Sequence, residues 1–290
     1  MSDISPFLKW AGGKRWITAR YNWLLPSKYN NYLEPFLGGG AVLFHMKPSR
    51  AVLGDVNADL IACYAAIKDN WRSIQQLLEE HQRQHCSEYY YSIRGQKFSD
   101  KIEEAARFLY LNRACFNGIY RVNLLGQFNV PKGSKTAILL ADDDFQTVSQ
   151  ILKGCQLVNQ DFAKTIARAN AGDFVFVDPP YTVKHNNNGF IKYNQQLFSW
   201  ADQLRLRDAV ESAARRGAFV LLTNANHRSV RDLYRGVGTM YRLNRPSIIS
   251  ANSDHRRASS ELAITIGYCS IERREAHRQT KGALDSYLLS

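Results

Sequence analysis

The sequence predicts an α/β fold: a mostly parallel sheet with helices on both faces, interrupted by an inserted, mainly helical block. Three observations carry this. Short apolar runs alternate with stretches of helical spacing along most of the chain. The ends of these runs carry chemically useful residues, as expected where ligands bind beyond the carboxyl ends of parallel strands. Residues 59–144 have little strand character and break the alternation.

The elements follow in order. Tyr32-Leu33-Glu34-Pro35-Phe36 reads as a strand end, followed by the turn Gly38-Gly39-Gly40. Ala51-Val52-Leu53-Gly54-Asp55 reads as a second strand, ending in an acid. From Asp59 to His81, apolar residues recur at helical spacing (Leu60, Ile61, Tyr64, Ile67, Trp71, Ile74, Leu77, Leu78). Residues 102–111 also read as helix. The stretch 112–133 is turn-rich, aromatic and basic. Strand character returns at Gln156-Leu157-Val158 and at Phe174-Val175-Phe176-Val177, the latter running into Asp178-Pro179-Pro180-Tyr181. A helix is predicted over 200–215, then a strand over Phe219–Leu222 ending in Thr223-Asn224, and a last strand over Glu261–Tyr268.

Composition bounds the function. A chain of 290 residues holds one or two domains. With 45% hydrophobic and 22% charged residues it is not a disordered chain. No apolar run approaches the roughly 18 residues of a membrane span. The opening MSDISPFLKWAGGKR has no apolar core, so no secretory leader is expected. The five cysteines are scattered, with no C-x-x-C, and the histidines show no ligand spacing. Neither a disulfide framework nor a metal is therefore expected, and a reducing cytoplasm is. Lys and Arg total 38 against 26 acids, a net +12 that favours polyanionic partners, nucleic acid first. Residues 205–245 hold nine Arg, no Lys and three acids. Arginine suits phosphate because its planar fork donates two parallel hydrogen bonds.

Four constellations carry chemistry. Glycines after a first strand free backbone N–H groups and let a ligand approach. An acid ending the next strand can accept from both ribose hydroxyls. Gly38, Gly40 and Asp55 thus suit an adenosine-containing cofactor, or equally a tight turn with a solvated acid. In Asp178-Pro179-Pro180-Tyr181 the prolines fix the backbone, leaving the Pro179 carbonyl beside the Asp178 carboxylate. Two aligned acceptors suit an –NH₂ group, and Tyr181 offers a face for a planar ring. The bland alternative is a rigid loop with Tyr181 as a lid. Phe7-Leu8-Lys9-Trp10-Ala11-Gly12-Gly13-Lys14-Arg15 gathers a Trp, a Gly pair and three cations, and taken alone reads as a solvated arm. The fourth is Asn112 to Asn123 with Gly126 to Pro131. Its Asn and Arg side chains can read base edges, and its aromatics can wedge between bases. An Asn-capped irregular loop would look the same.

FLKWAGGK, EPFLGGG, LGDVN, NRACFNGIYRVNLLGQFNVP, DPPY and RPSIIS occur in this order. With them the chain resembles the Dam-type DNA adenine-N6 methyltransferases, from residue 7 to about 268. The resemblance implies a Rossmann-like methyltransferase sheet with a target-recognition domain at 57–144, catalytic parts at 1–56 and 145–270, and a tail at 271–290. It implies S-adenosyl-L-methionine as cofactor, held by Trp10, Lys14, Phe36, Gly38, Gly40, Asp55, Asp161, Phe162 and Asp178. It implies duplex DNA as substrate, with adenine methylated in GATC. Arg121 would read a guanine and Lys9 would touch the site. Phe116 would enter the base stack, with Asn117, Ile119 and Pro131 nearby. Catalysis would fall to Asp178, Pro179, Pro180 and Tyr181. Phe116 and Ile119 stand where the family often has Tyr and Leu; both changes keep an apolar wedge. A bacterial or phage-encoded cytoplasmic enzyme is expected, with no membrane and no obligate protein partner.

Three other readings stay in view. A dinucleotide-dependent dehydrogenase would want a third glycine where Leu43 stands. The same DPPY chemistry could act on cytosine N4, RNA or glutamine. An inactive DNA-binding relative would keep the fold without turnover. Arg205, Arg207, Arg228, Arg231, Arg235, Arg256 and Arg257 are candidates for phosphate contacts.

Overall fold

The computed structural model describes residues 4–123, 125–182, 198–245, 259–268 and 286–289. Several of the residues considered above lie outside them: Arg256 and Arg257, the RPSIIS run from Pro246 on, His185, His255, His277, Cys269, and most of the tail. The chain divides into two compact units, one of residues 1–15 and 37–159, the other of 16–36 and 160–290.

The first unit contains β2 (Ala51–Asp55) and β3 (Cys155–Asn159), a parallel pair in register from Ala51 opposite Cys155 to Asp55 opposite Asn159. (β1 belongs to the second unit.) α2 (Ala41–Met46) follows the glycine turn. α3 runs Ala58–Gln84, longer than the apolar spacing alone indicates. Asn57 caps it by accepting from the Leu60 N–H at 3.0 Å, satisfying one of the donors a helix start leaves open. Asn70 departs from helical geometry (φ −136°, ψ 35°) and kinks it. α4 (Ser87–Gly95) and α5 (Lys101–Ala114) complete the helical block, with Asp100 accepting from the N–H groups of Ile102 and Glu103. α5 is buried from Ala105 to Ala114, Arg107 and Arg113 included, which is why its apolar periodicity is weak in sequence. α6 (Phe145–Lys153) leads into β3.

After α5 the chain forms a small hairpin that the sequence shows only as turn-rich. Cys115 bridges Lys132 and Val122 bridges Phe128, both antiparallel. The Phe116 N–H donates to the Pro131 carbonyl at 2.9 Å and the Asn129 N–H to the Arg121 carbonyl at 3.2 Å. Asn123 closes the tip, its side-chain oxygen accepting from the N–H groups of Leu125 and Gln127. Such an Asx turn replaces backbone pairing where the chain reverses.

Among the described residues the second unit holds six strands: β1 (Tyr32–Glu34), β4 (Phe174–Val177), β5 (Phe219–Ala225), β6 (Thr239–Arg245), β7 (Ser259–Ile266) and β8 (Ser286–Leu289), in spatial order β1-β4-β5-β7-β6-β8. β1 with β4 and β4 with β5 are parallel. The pairs β5–β7, β6–β7 and β6–β8 are antiparallel. The expectation of a mostly parallel sheet therefore holds for the pairings of β1 to β5 and fails for the C-terminal strands. β6 was not predicted at all: Arg242 interrupts its buried Met240, Tyr241 and Leu243, so no apolar run announces it. Among the described residues the second unit's helices are α7 (Phe162–Ile166), α8 (Trp200–Arg215), α9 (Arg228–Leu233) and all of α1 (Arg15–Arg20) but its first residue. A reciprocal Ser199–Asp202 capping box starts α8. Every residue of β4 is buried, as expected of a strand covered on both faces. The fold is α/β, as the alternation of apolar runs and helical spacing predicts.

Candidate active site

In the first unit the glycine turn folds back onto the acid of β2. The Gly38 N–H donates to Asp55 Oδ2 at 3.1 Å, and the Asn57 N–H to Oδ1 at 2.9 Å. The Val56 N–H also bonds this carboxylate, which leaves it acceptor capacity for one further hydroxyl. Desolvation raises the Asp55 pKa above the ordinary carboxylate value, partly offset by these N–H groups. Gly38 (φ +48°) and Gly40 (φ +66°) adopt the left-handed region. A Cβ on Gly38 would sit 2.8 Å from the Trp10 indole, and one on Gly40 2.8 Å from the Tyr64 hydroxyl. Only glycine fits this turn while Trp10 packs against it. Trp10 also stacks on Tyr120 (5.6 Å, 23°), whose hydroxyl donates to Asp59 at 2.8 Å. Lys14 is buried, its ammonium on the Gly12 carbonyl at 2.6 Å.

The opening segment is not a solvated arm. Phe7 and Leu8 are buried, and two residues of α5 pin the backbone. Asn112 accepts from the Lys9 N–H and donates to the Lys9 carbonyl, at 2.9 and 2.8 Å. Arg113, fully buried, donates to the Phe7 carbonyl, the Ile138 carbonyl and both oxygens of Asp143. Read in sequence as candidates for base edges, Asn112 and Arg113 are structural: their donors and acceptors are used inside the protein.

The hairpin presents the rest of that motif. Phe116, Asn117, Arg121 and Pro131 are exposed and Ile119 half-buried. Asn117 takes a left-handed turn conformation (φ +55°), which Asn tolerates. Arg121 Nε donates to the Asn129 side chain at 2.8 Å, leaving its outer fork without a partner among the described residues. A Cβ on Gly118 would meet Lys9 at 2.7 Å, so the Lys9 stem packs under the turn. Its ammonium donates to the Arg113 carbonyl at 2.9 Å. Burial first, then the positive charges of Lys135 and Arg113, lower its pKa.

In the second unit Asp178 follows the last residue of β4. The Thr223 hydroxyl donates to Asp178 Oδ1 at 2.7 Å, and the Tyr181 hydroxyl donates to Glu261 Oε2 at 2.5 Å. Pro179 is buried; Asp178, Pro180 and Tyr181 are half-buried. Desolvation, then the negative charges of Asp178 and Glu261, hold the Tyr181 phenol well above its ordinary range. Phe36 stacks on Phe162 (5.3 Å, 22°), and both meet Phe198. Asp161 caps α7 through the Ala163 N–H at 2.9 Å and pairs with Arg205 at 2.9 Å.

Within the first unit the structure thus brings Trp10, Gly38 and Asp55 together, and within the second Phe36 with Phe162 and Asp178 with Thr223. Sequence reading missed Glu261, Asn129 and the Tyr120–Trp10 stack. Glu261 stood as the single acid opening the apolar run ELAITI, a signal that was there to use. Several proposed phosphate contacts are engaged within the chain: Arg205 with Asp161 and Asp202, Arg207 with Asp208 and Glu211, Arg228 and Arg235 with Asp232, Arg231 with Asn226. No group of side chains with metal-ligand character occurs among the described residues.

The D12 class N6 adenine-specific DNA methyltransferase family matches residues 10–248. A type II methyltransferase, M1.LlaDCHI, of Lactococcus lactis subsp. cremoris is 36% identical over 272 residues, covering 91% of this chain and 95% of its own. The type II methyltransferase M.MjaIII of Methanocaldococcus jannaschii is 34% identical over 248 residues, 77% of this chain and 85% of its own. The DNA adenine methylase of Escherichia coli K12 is 31% identical over 268 residues, 91% and 96%.

Proposed function

Because the chain belongs to the D12 class N6 adenine-specific DNA methyltransferases, we propose that it transfers a methyl group from S-adenosyl-L-methionine to N6 of a flipped-out adenine within GATC. The protein is an adenine-specific DNA methyltransferase. The donor, the site sequence and the residue roles are the proposed parts. The observation that supports the amine chemistry is the DPPY turn: Asp178 oriented by Thr223, with the Tyr181 hydroxyl tied to Glu261; GATC is supported by the resemblance of the Phe116 to Pro131 stretch to Dam-type enzymes.

The chain's own groups suit the cofactor. Asp55, bonded by the N–H groups of Gly38, Asn57 and Val56, keeps acceptor capacity for the ribose. The turn at Gly38 and Gly40 packs on Trp10 and Tyr64, and Lys14 lies by Gly12; these residues are proposed to line the methionine end. Phe36 and Phe162 offer apolar faces to adenine, with Asp161 beside them. When bound, the cofactor supplies an electrophilic methyl group on a sulfonium, whose departure leaves a neutral thioether.

A stacked adenine cannot react, so the base leaves the helix. Asp178 and the Pro179 carbonyl then accept the two N6 hydrogens, and Tyr181 stacks on the ring. These bonds favour a pyramidal amine with a localised lone pair, which attacks the methyl group in line. Its proton becomes acidic only once the new C–N bond has formed, and Asp178 is placed to take it. Positioning and preorganised acceptors account for the catalysis. On the DNA, Arg121 reads a guanine with its outer fork, Lys9 touches the site, and Phe116 enters the base stack, with Asn117, Ile119 and Pro131 nearby. The recognition domain is assigned to 57–144. A cytoplasmic location is part of the proposal; among the described residues no helix is long and apolar enough to cross a membrane.

The test is methyl transfer from labelled S-adenosyl-L-methionine to two duplexes. One carries a single GATC, and the other has its adenines there replaced by N6-methyladenine. Label on the first alone is expected. Label on both would point to another base or a looser site, and binding without label to an inactive relative.

A further inference from the structure

We propose that Glu261 is a positioning residue for methyl transfer: from behind Tyr181 its carboxylate holds the phenol hydroxyl and fixes the plane the ring presents to the target base. This rests on the reading of Tyr181 as the stacking platform.

Three observations carry it. Glu261 is 4% exposed, and a buried carboxylate is costly unless hydrogen-bonded. Its Oε2 accepts the Tyr181 hydroxyl at 2.5 Å, the short end of charge-assisted O–H···O⁻ bonds. Strand register puts it on the catalytic face. Phe176 pairs with Leu221, Thr223 with Ala263, and Ala225 with Glu261. Side chains alternate along a strand, so Thr223, Ala225 and Glu261 share one face. Asp178, two residues beyond Phe176, falls on it too, as its bond from Thr223 requires.

The physical consequence is angular. A tyrosine ring turns about two torsions, and packing along its edges restrains them only in part. A bond at the far end of the ring, to a group carried by a sheet strand, restrains both. Two neighbouring strands therefore set the motif: β5 holds Asp178 through Thr223, which also bonds the Tyr181 hydroxyl, and β7 holds Tyr181 through Glu261. Glu261 itself touches neither base nor cofactor.

The test uses the full chain and a GATC duplex, unlabelled or with 2-aminopurine at the target adenine. Variants are Glu261→Ala, Glu261→Gln, Tyr181→Phe and the double Tyr181→Phe/Glu261→Ala. Glu261→Ala should lower the single-turnover rate about 100-fold, the scale of a small misplacement at a reacting centre, with cofactor and DNA affinities unchanged. Its 2-aminopurine fluorescence should rise as the flipped base loses its stacking partner. Glu261→Gln keeps an acceptor and should recover most of the rate. The double variant should lose no more than Glu261→Ala, because the carboxylate acts through the hydroxyl. A folded Glu261→Ala with wild-type rate and fluorescence would overturn the proposal, and so would additive losses. Should Glu261→Ala fail to fold, Glu261→Gln and Tyr181→Phe decide, and wild-type fluorescence in Tyr181→Phe overturns it. Failure of the underlying reading looks different: unchanged turnover in Asp178→Ala would remove the DPPY assignment itself.

Discussion

The guanidinium of Arg205 lies 4.9 Å from the centre of the Phe162 ring while pairing with Asp161 at 2.9 Å and Asp202 at 2.7 Å. Sequence reading placed this arginine on DNA phosphate; the structure places it on the side chains nominated for the cofactor's adenine. Arg205→Ala should raise the cofactor KM about two- to fivefold, the worth of an exposed cation–π contact of about 0.5–1 kcal/mol. The salt dependence of DNA binding should keep its slope. A slope reduced by about one, with the cofactor KM unchanged, would return Arg205 to the phosphates.

Asp55 accepts from the N–H groups of Gly38, Asn57 and Val56 and is proposed to accept from the ribose as well. Asp55→Asn should weaken cofactor binding by about 1.5–3 kcal/mol, the range for bonds to a charged group, with little effect on DNA affinity. Because desolvation raises its pKa, the carboxylate is lost at a higher pH than for an exposed aspartate. Cofactor affinity measured by calorimetry should accordingly begin to fall early on acidification, and that part of the fall should vanish in Asp55→Asn.

Arg121 is oriented by Asn129 and otherwise exposed. Arg121→Ala should relax discrimination at one base pair by about 1–3 kcal/mol and leave stability unchanged. Asn129→Ala frees the guanidinium without removing it, so it should relax the same base pair by less. Methylation of duplexes substituted singly at each GATC position reads both. Equal loss on every sequence would mark Arg121 as a phosphate contact.

Arg113 should behave in the opposite way. Its guanidinium has no exposure and its partners are two carbonyls and the Asp143 carboxylate. Arg113→Met leaves Asp143 unpaired in a largely buried site, which should cost about 3–5 kcal/mol in urea unfolding. DNA specificity in the surviving folded protein should be normal. A stable Arg113→Met with relaxed specificity would restore the base-reading role.

His81 is buried, stacked on Tyr110 at 4.6 Å, with Nδ1 2.8 Å from the Tyr89 hydroxyl. Burial lowers its pKa from 6.5 to about 4. Between those values the unfolded chain binds a proton that the folded chain refuses, so stability falls as pH drops through that window. The full penalty is about 3 kcal/mol. His81→Gln should flatten the difference in unfolding free energy between pH 7 and pH 4.5; an unchanged slope would assign it to other groups.

Much of the site could be read along the chain because its chemistry is local. Gly38, Asp55 and the run Asp178 to Tyr181 sit at strand ends, where one short segment holds both the apolar run and the functional group. The boundaries of β2, β4 and α8 matched the periodicity for the same reason: each buries a pattern complete within itself. What sequence could not show depends on partners far away in number. β6 hides its buried side chains among arginines. The antiparallel turn of the C-terminal strands is set by which strand lies beside β5.

By itself, then, the sequence determined the α/β class, the order of cofactor turn, recognition stretch and DPPY, and through them the family. Tertiary structure decided which side chains serve the chemistry and which serve the fold. Arg113 and Arg121 stand eight residues apart in one basic stretch; one is sealed against Asp143 and the other faces out. Glu261 acquired a role only when β7 came to lie against β5. Residue type sets what a group can do, but burial and a partner's position decide whether it has a free donor or acceptor left to do it with.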